Sequence, residues 1–437
     1  MATLKWTPMS IFAALVVLVT VLGLRQNPTL LTSDYLFPRY ATMVGQCIVL
    51  QDPDQNPASS LESAISVYRQ NDSRQAIFSV PHFNFTIKKI WRSADPVNLG
   101  VHSASKASAI IHKDSVFVGG DNSWFYSYDK KNGNLNWKFY TADSTRGIHS
   151  TAVAEGDFVY VGSYRGSIYK IHQKSGKIVW SRIVGQTIGA SPLIVGDQLI
   201  IAVETMKPGG YLISMHKDTC ELQWRSTDLG EQAHSSPAYD PQTGLLVLGA
   251  NNSTYQAFDV KTGHRVWKTH IQGHIKSTPW VDEGHSYITS WGNEIFKVDH
   301  KTGALAWRAE LENKSQVSPA LSKKHGVVFV ADSGGKMYGL SESTGDILWT
   351  QESDLKFQIS SPVVLKTPQD EKFLFFCQKA KVCLINHKGK IEKTWPVDGF
   401  FTGSLFLIDV DPGEGTSKLP MAFNEGHLVQ YELQFSK

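Results

Sequence analysis

One nine-residue pattern recurs through this chain and constrains its fold more than any other feature. It appears as Asp259-Val-Lys-Thr-Gly263-His-Arg-Val-Trp267, as Asp299-His-Lys-Thr-Gly303-Ala-Leu-Ala-Trp307 and as Ser341-Glu-Ser-Thr-Gly345-Asp-Ile-Leu-Trp349. Aligned on the tryptophan, the series runs Trp137, Trp180, Trp224, Trp267, Trp307, Trp349 and Trp395, with gaps of 40 to 46 residues. A fixed period of that size marks an array of supersecondary units, none of which can bury its apolar face alone.

Each unit repeats the same internal order. A Ser/Thr-rich segment ends in Ser-Pro or Thr-Pro, as at Ser191-Pro192, Ser236-Pro237, Thr278-Pro279, Ser318-Pro319 and Ser361-Pro362. An alternating apolar strand follows and ends in a small residue, as in Val159-Tyr-Val-Gly162 and Val328-Phe-Val-Ala331. A Gly- or Asn-containing turn leads to a third strand, and the Thr-Gly turn with its tryptophan strand closes the unit. Period-two alternation of β-branched and aromatic residues between glycine turns is strand chemistry. Glycine suits the hairpin because it accepts positive φ without a Cβ clash. Four short strands per unit, repeated radially, make the blades of an all-β propeller.

The count of units is eight. After Trp395 the chain supplies three more strands, expected over residues 400–410, 419–424 and 427–434, but no fourth. Upstream, Phe85-Thr-Ile-Lys-Lys-Ile-Trp91 is an isolated strand ending in a tryptophan 46 residues before Trp137. The expectation is an eight-bladed propeller over residues 83–437, closed by this N-terminal strand pairing with the C-terminal three. Such closure removes two open sheet edges.

The unit Ser-Pro, Val-Tyr-Val-Gly, Thr-Gly and Trp resembles the pyrroloquinoline-quinone (PQQ) type propeller repeat, and more closely its non-enzymatic members of the outer-membrane-assembly type. In that family the tryptophan docks each blade onto its neighbour. The resemblance therefore implies a structural docking role for Trp91, Trp137, Trp180, Trp224, Trp267, Trp307, Trp349 and Trp395. Its enzymes are quinoprotein dehydrogenases with a vicinal cysteine disulfide over the cofactor and an acidic calcium pocket. Here Cys47, Cys220, Cys377 and Cys383 are nowhere adjacent and the connections are short. No cofactor is expected, neither PQQ nor calcium.

Other chemistry is not written in the chain. There is no GxSxG, no HExxH, no phosphate-cradling glycine loop before a helix and no CxxC pair, so no catalytic residue and no metal ligand is assigned. A net charge of +3 without a basic run argues against nucleic acid. Cys377 and Cys383 flank a hairpin turn and are candidates for a cross-strand disulfide, two buried thiols being the alternative. Cys220 takes the glycine place of one Thr-Gly turn.

One column of residues could bear function. Two places before the Ser/Thr of each Ser-Pro motif, beside the central channel, stand Lys106, His149, Gly189, His234, Lys276, Gln316, Ile359 and Thr402. Lys106, His149, His234, Lys276 and Gln316 would ring the axis with donors, extended by Arg146 and His274, and would attract anions. Plain hydration of a narrow channel is the alternative. Trp124 and Trp291 raise a third reading, a carbohydrate surface.

The N-terminus divides into a short tail (1–8), an apolar run read as a signal-anchor helix (9–25) and a stalk (26–82) with a short helix from Ser59 to Arg69. About 20 apolar residues cross a bilayer comfortably, and the run from 9 to 24 is shorter, so cleavage as a signal peptide is the alternative. Five Asn-x-Ser/Thr triplets suit an exported domain, in a periplasm or a secretory lumen alike. The sequence thus reads as a single-pass membrane protein whose extracytoplasmic propeller is a non-catalytic scaffold for protein partners, bound through loops or strand edges. The alternative is a quinoprotein-like oxidoreductase or a sensor of a small anion in the channel.

Overall fold

A computed structural model of the chain describes residues 45–49, 65–97, 107–141, 147–205, 209–353, 360–378, 380–397, 409–411, 416–422 and 426–436. Among them the regular structure is all β. No helix there is long and apolar enough to cross a membrane, and the apolar run from 9 to 24 lies outside the described residues.

The strands form eight sheets, numbered here in chain order. Sheet 1 runs from Ile110–His112 through Ser115–Gly119 and Trp124–Asp129 to Leu135–Tyr140. Sheet 2 begins at Val153–Glu155, sheet 3 at Leu193–Val195, sheet 4 at Ala238–Asp240, sheet 5 at Trp280–Asp282, sheet 6 at Ala320–Ser322 and sheet 7 at Val363–Lys366. Each continues as an antiparallel meander, and the first strand of sheet 4 lies against that of sheet 5, as that of sheet 6 lies against that of sheet 7. Sheet 8 takes Asp409–Asp411, Thr416–Ala422 and Leu428–Phe435 from the C-terminal region. Its fourth strand is Phe85–Arg92, antiparallel to Leu428–Phe435 with Phe85 opposite Phe435 and Arg92 opposite Val429.

Two joints explain why the sequence repeats as it does. At the periphery, seven of the eight column tryptophans donate their indole N–H to a backbone carbonyl of the next sheet: Trp91 to Lys130 at 3.0 Å, Trp137 to Gln173 at 2.8 Å, Trp180 to Lys217 at 3.1 Å and Trp224 to Val260 at 3.0 Å. Trp267, Trp307 and Trp349 do the same to His300, Glu342 and His387 at 2.7 to 2.9 Å. Trp395 instead stacks on Phe85 at 4.9 Å. The turn glycine is required twice over, by a φ of +72° at Gly303 and by the indole beneath it. A Cβ there would stand 2.7 Å from Trp267. Cys220 holds the same left-handed conformation, φ +65°, without being glycine.

At the axis, the Ser/Thr of the Ser-Pro motif accepts a backbone N–H from the preceding sheet. Ser108 N bonds Thr151 Oγ1, Thr151 N bonds Ser191 Oγ and Ser191 N bonds Ser236 Oγ. The same link recurs from Thr278 to Ser318 and from Ser318 to Ser361, all at 2.9 to 3.0 Å. A hydroxyl at that place satisfies a donor that the short first strands leave without a ladder partner. Between the two joints lies an apolar core of Val, Ile, Leu and Phe from the middle strands.

The segment expected to be a stalk departs from that expectation. Residues 65–80 run across the axis inside the body. Ile65–Ser66 pairs with the first strand of sheet 2, and Ile77–Ser79 pairs parallel to the first strand of sheet 7. Ile65–Ser66 is strand and the chain turns at 68–69, so the second half of the expected 59–69 helix is absent; residues 59–64 lie outside the described residues. The segment carries no repeat and is held by non-local backbone partners, which periodicity cannot display.

Cysteine pairing also differs from the sequence reading at one site. Cys47 is joined to Cys220, 173 residues away, with Cα atoms 6.0 Å apart. Ile48–Val49 then extends the outer edge of sheet 2. Cys377 and Cys383 are joined across their hairpin, with Cα atoms 5.7 Å apart.

Candidate functional site

The strand order gives the molecule two faces. One carries the turns between first and second and between third and fourth strands; the other carries the remaining connections. The axis opens on this second face as a depression of about 460 Å³ of empty space, the open mouth included.

His149, Gly189, His234, Lys276 and Gln316 all line it, together with Ser191, Ser236, Thr278, Ser318 and Ser361. The structure therefore brings five members of the predicted column together. Lys106, Arg146, Ile359 and Thr402 lie outside the described residues. His274 stands at the rim, its ring edge-on to Trp291 with centroids 5.7 Å apart.

The depression has a floor. Tyr68, from the segment crossing the axis, lines it from below. Behind Tyr68, the guanidinium of Arg74 donates to the carbonyls of Tyr68, Ser191, Pro192 and Pro237, at 2.9 to 3.2 Å. Arg69 donates to Pro319 O at 2.6 Å and to Arg74 O at 3.0 Å. Arg74 is wholly buried, and burial lowers both guanidinium groups to about 10. Five planar donors on one side chain match carbonyls that converge from sheets 3 and 4, which a lysine ammonium would not. The channel is a cup stoppered by the chain itself.

The ring of donors is not purely a ring of donors. Glu204, its side chain 1% exposed, places Oε1 3.1 Å from His234 Nδ1. Gly189 makes room for it, since a Cβ there would meet Glu204 Oε1 at 2.5 Å. Glu204 is the last residue of the second strand of sheet 3, Gln198–Glu204, two places after the small residue Ala202, an acidic residue where the motif carries no weight. That position is the only signal the sequence offered.

Lys276 is desolvated, which lowers its pKa against the pull of Glu204, with Lys314 adding to the lowering. Its ammonium lies 3.9 Å from the Trp291 ring centroid, and that of Lys314 lies 4.3 Å away. Trp291 is thus covered by two cations, a cation–π arrangement that replaces the open aromatic platform a sugar would need. The cup combines one buried carboxylate with lysine and histidine donors, so it is mixed in charge rather than a cationic funnel.

A family model described as outer membrane protein assembly factor BamB matches residues 121–253 and 251–397. The chain belongs to this family of PQQ-type propeller repeats. Among solved structures, BamB from Moraxella catarrhalis is 18% identical, with a TM-score of 0.62 over 80% of this chain and 98% of that one. A europium-containing methanol dehydrogenase is 11% identical, with a TM-score of 0.68 over 85% of this chain and 98% of its own. Quinohemoprotein alcohol dehydrogenase from Comamonas testosteroni is 11% identical, with a TM-score of 0.66 over 85% and 81%. Identities this low establish the shared fold alone. No curated protein matches. The PQQ-type repeat thus unites assembly factors and dehydrogenases on one architecture, and function must be argued from the site.

Proposed function

We propose that this chain is a non-catalytic binding scaffold for protein partners, displayed outside the cytoplasm and held to a membrane by residues 9–25. Its eight sheets act as the blades of one closed ring, with Phe85–Arg92 completing the last blade. The observation that carries the scaffold reading is the stoppered axis. Arg74 and Tyr68 fill the end of the channel with the chain's own backbone contacts, leaving a shallow mixed-charge cup under a wide loop face. Membership of a family described as an assembly factor supports the same direction. Partner segments would engage the loops of the open face, or add as strands to blade edges, as Ile48–Val49 adds to sheet 2. Cys47–Cys220 suits an oxidising compartment.

A second reading, small-anion sensing or quinoprotein chemistry in the cup, is favoured by the convergence of His149, His234, Lys276 and Gln316. Thermal unfolding of the purified chain with and without PQQ and calcium separates the two. The scaffold predicts the same melting temperature in both; a saturable rise of several degrees assigns the cup to a cofactor.

A further inference from the structure

Three turns on the stoppered face bring together side chains that the scaffold does not use. His325 sits in the turn after the first strand of sheet 6, Asp370 in the turn after the first strand of sheet 7, and His387 in the last turn of sheet 7. His325 Nε2 lies 2.6 Å from Asp370 Oδ1. The rings of His325 and His387 are stacked, with centroids 3.8 Å apart and 10° between their planes. One donor atom from each of the three residues falls within 4.8 Å of the other two.

We infer that His325, Asp370 and His387 form a binding site for a borderline divalent transition-metal ion of the zinc class. Two imidazoles and one carboxylate with an open position are a donor set for that class, whereas magnesium and calcium prefer all-oxygen sites. The arrangement has support behind it. The backbone of His387 is pinned where Trp349 Nε1 donates to its carbonyl at 2.8 Å. Asp370 is pinned by the N–H of Glu371 on Oδ1 at 2.9 Å and by Thr367 Oγ1 on its own N–H at 2.9 Å. Such outer contacts fix ligand orientation.

Lys372 stands 4.0 Å from Asp370 Oδ2 and is held at 2.5 Å by Glu392 Oε2. His387 Nδ1 is buried without a hydrogen-bond partner among the described residues, a donor atom with no other task. His325 and Asp370 keep 18% and 36% of their side chains exposed, so an ion reaches them from solvent. Binding requires only side-chain motion. The ion replaces the proton between His325 and Asp370, which is released to solvent; their N and O separate from 2.6 Å to roughly 3.3 Å, and His387 turns out of the stack to aim a nitrogen at the ion.

The test is calorimetric titration of the full chain, stripped with a chelator, with zinc chloride. The expected result is one ion per chain, with affinity reduced at least tenfold in His325→Ala, in His387→Gln and in Asp370→Asn, and unchanged in His234→Ala from the cup. Cobalt(II) added to the stripped chain should give the visible absorption of a low-coordinate site, lost in His387→Gln. Equal binding by the wild type and the three turn variants overturns the inference, as does no heat above dilution. Loss confined to His234→Ala moves the ion to the cup and overturns it equally.

Discussion

At the residue scale, the account rests on two neighbours in the segment that crosses the axis. Arg74 satisfies carbonyls from the crossing segment and from sheets 3 and 4 at once. Arg74→Met keeps much of the volume and removes every donor, leaving buried carbonyls unpaired. Chemical denaturation should show a loss of about 3–5 kcal/mol; a loss under about 1 kcal/mol would mean that water replaces the guanidinium without cost. Asp72 titrates in the opposite sense to most carboxylates. Burial raises it to about 6 against the pull of Arg74, with Glu155 adding to the rise. The folded state thus holds that proton more tightly than the unfolded chain, whose carboxyl titrates near 3.8. The stability it contributes is fully present below about pH 4 and is lost as pH rises through about 6. In Asp72→Asn the contribution is constant, so the variant should gain roughly 2 kcal/mol on the wild type between pH 4 and 7. Parallel urea titrations across that range read the gain, and a constant offset would refute it.

At the scale of elements, the sequence displays what is periodic and hides what is not. The Thr-Gly turn and its tryptophan are legible because a positive φ and an indole against the glycine demand the same residues every 40 to 46 positions. The Ser-Pro column is legible for a similar reason, each hydroxyl closing a hydrogen bond to the sheet before it. The column beside it holds His149, His234, Lys276 and Gln316, which line the cup. What stayed hidden is non-local. Glu204 enters the cup from a place the motif leaves blank, and residues 65–80 bond to sheets 2, 4, 5 and 7 through backbone groups that any residue carries. The turns of His325, Asp370 and His387 meet only because sheets 6 and 7 are adjacent. The disulfide from Cys47 to Cys220 belongs to the same class, since no spacing links residues 173 apart. It ties the 45–49 segment to the turn docked on Trp180. Cys47→Ser should cost about 2–4 kcal/mol, read from thermal unfolding under non-reducing conditions. Unchanged unfolding would show that the edge strand Ile48–Val49 is held without it.

At the scale of the whole molecule, the proposed closure of the ring rests on sheet 8, where Phe85–Arg92 pairs with Leu428–Phe435. Adjacent prolines at Thr86 and Ile87 must break that ladder whichever residue faces it, because proline has no N–H to donate. A closed ring should respond with a lower melting temperature in a single transition. A separate early transition with the main one unmoved would mean that the ring does not depend on this strand. The scaffold itself makes a claim about faces, and photo-crosslinking in cells tests it most directly, from probes at Lys314 on the open face and at Lys388 on the stoppered face. The account predicts one dominant protein captured at Lys314 and little at Lys388. That partner, once purified, should bind the wild-type chain and the His149→Ala/His234→Ala double variant equally. Capture at neither position, together with a saturable response of the purified chain to PQQ and calcium, would contradict it.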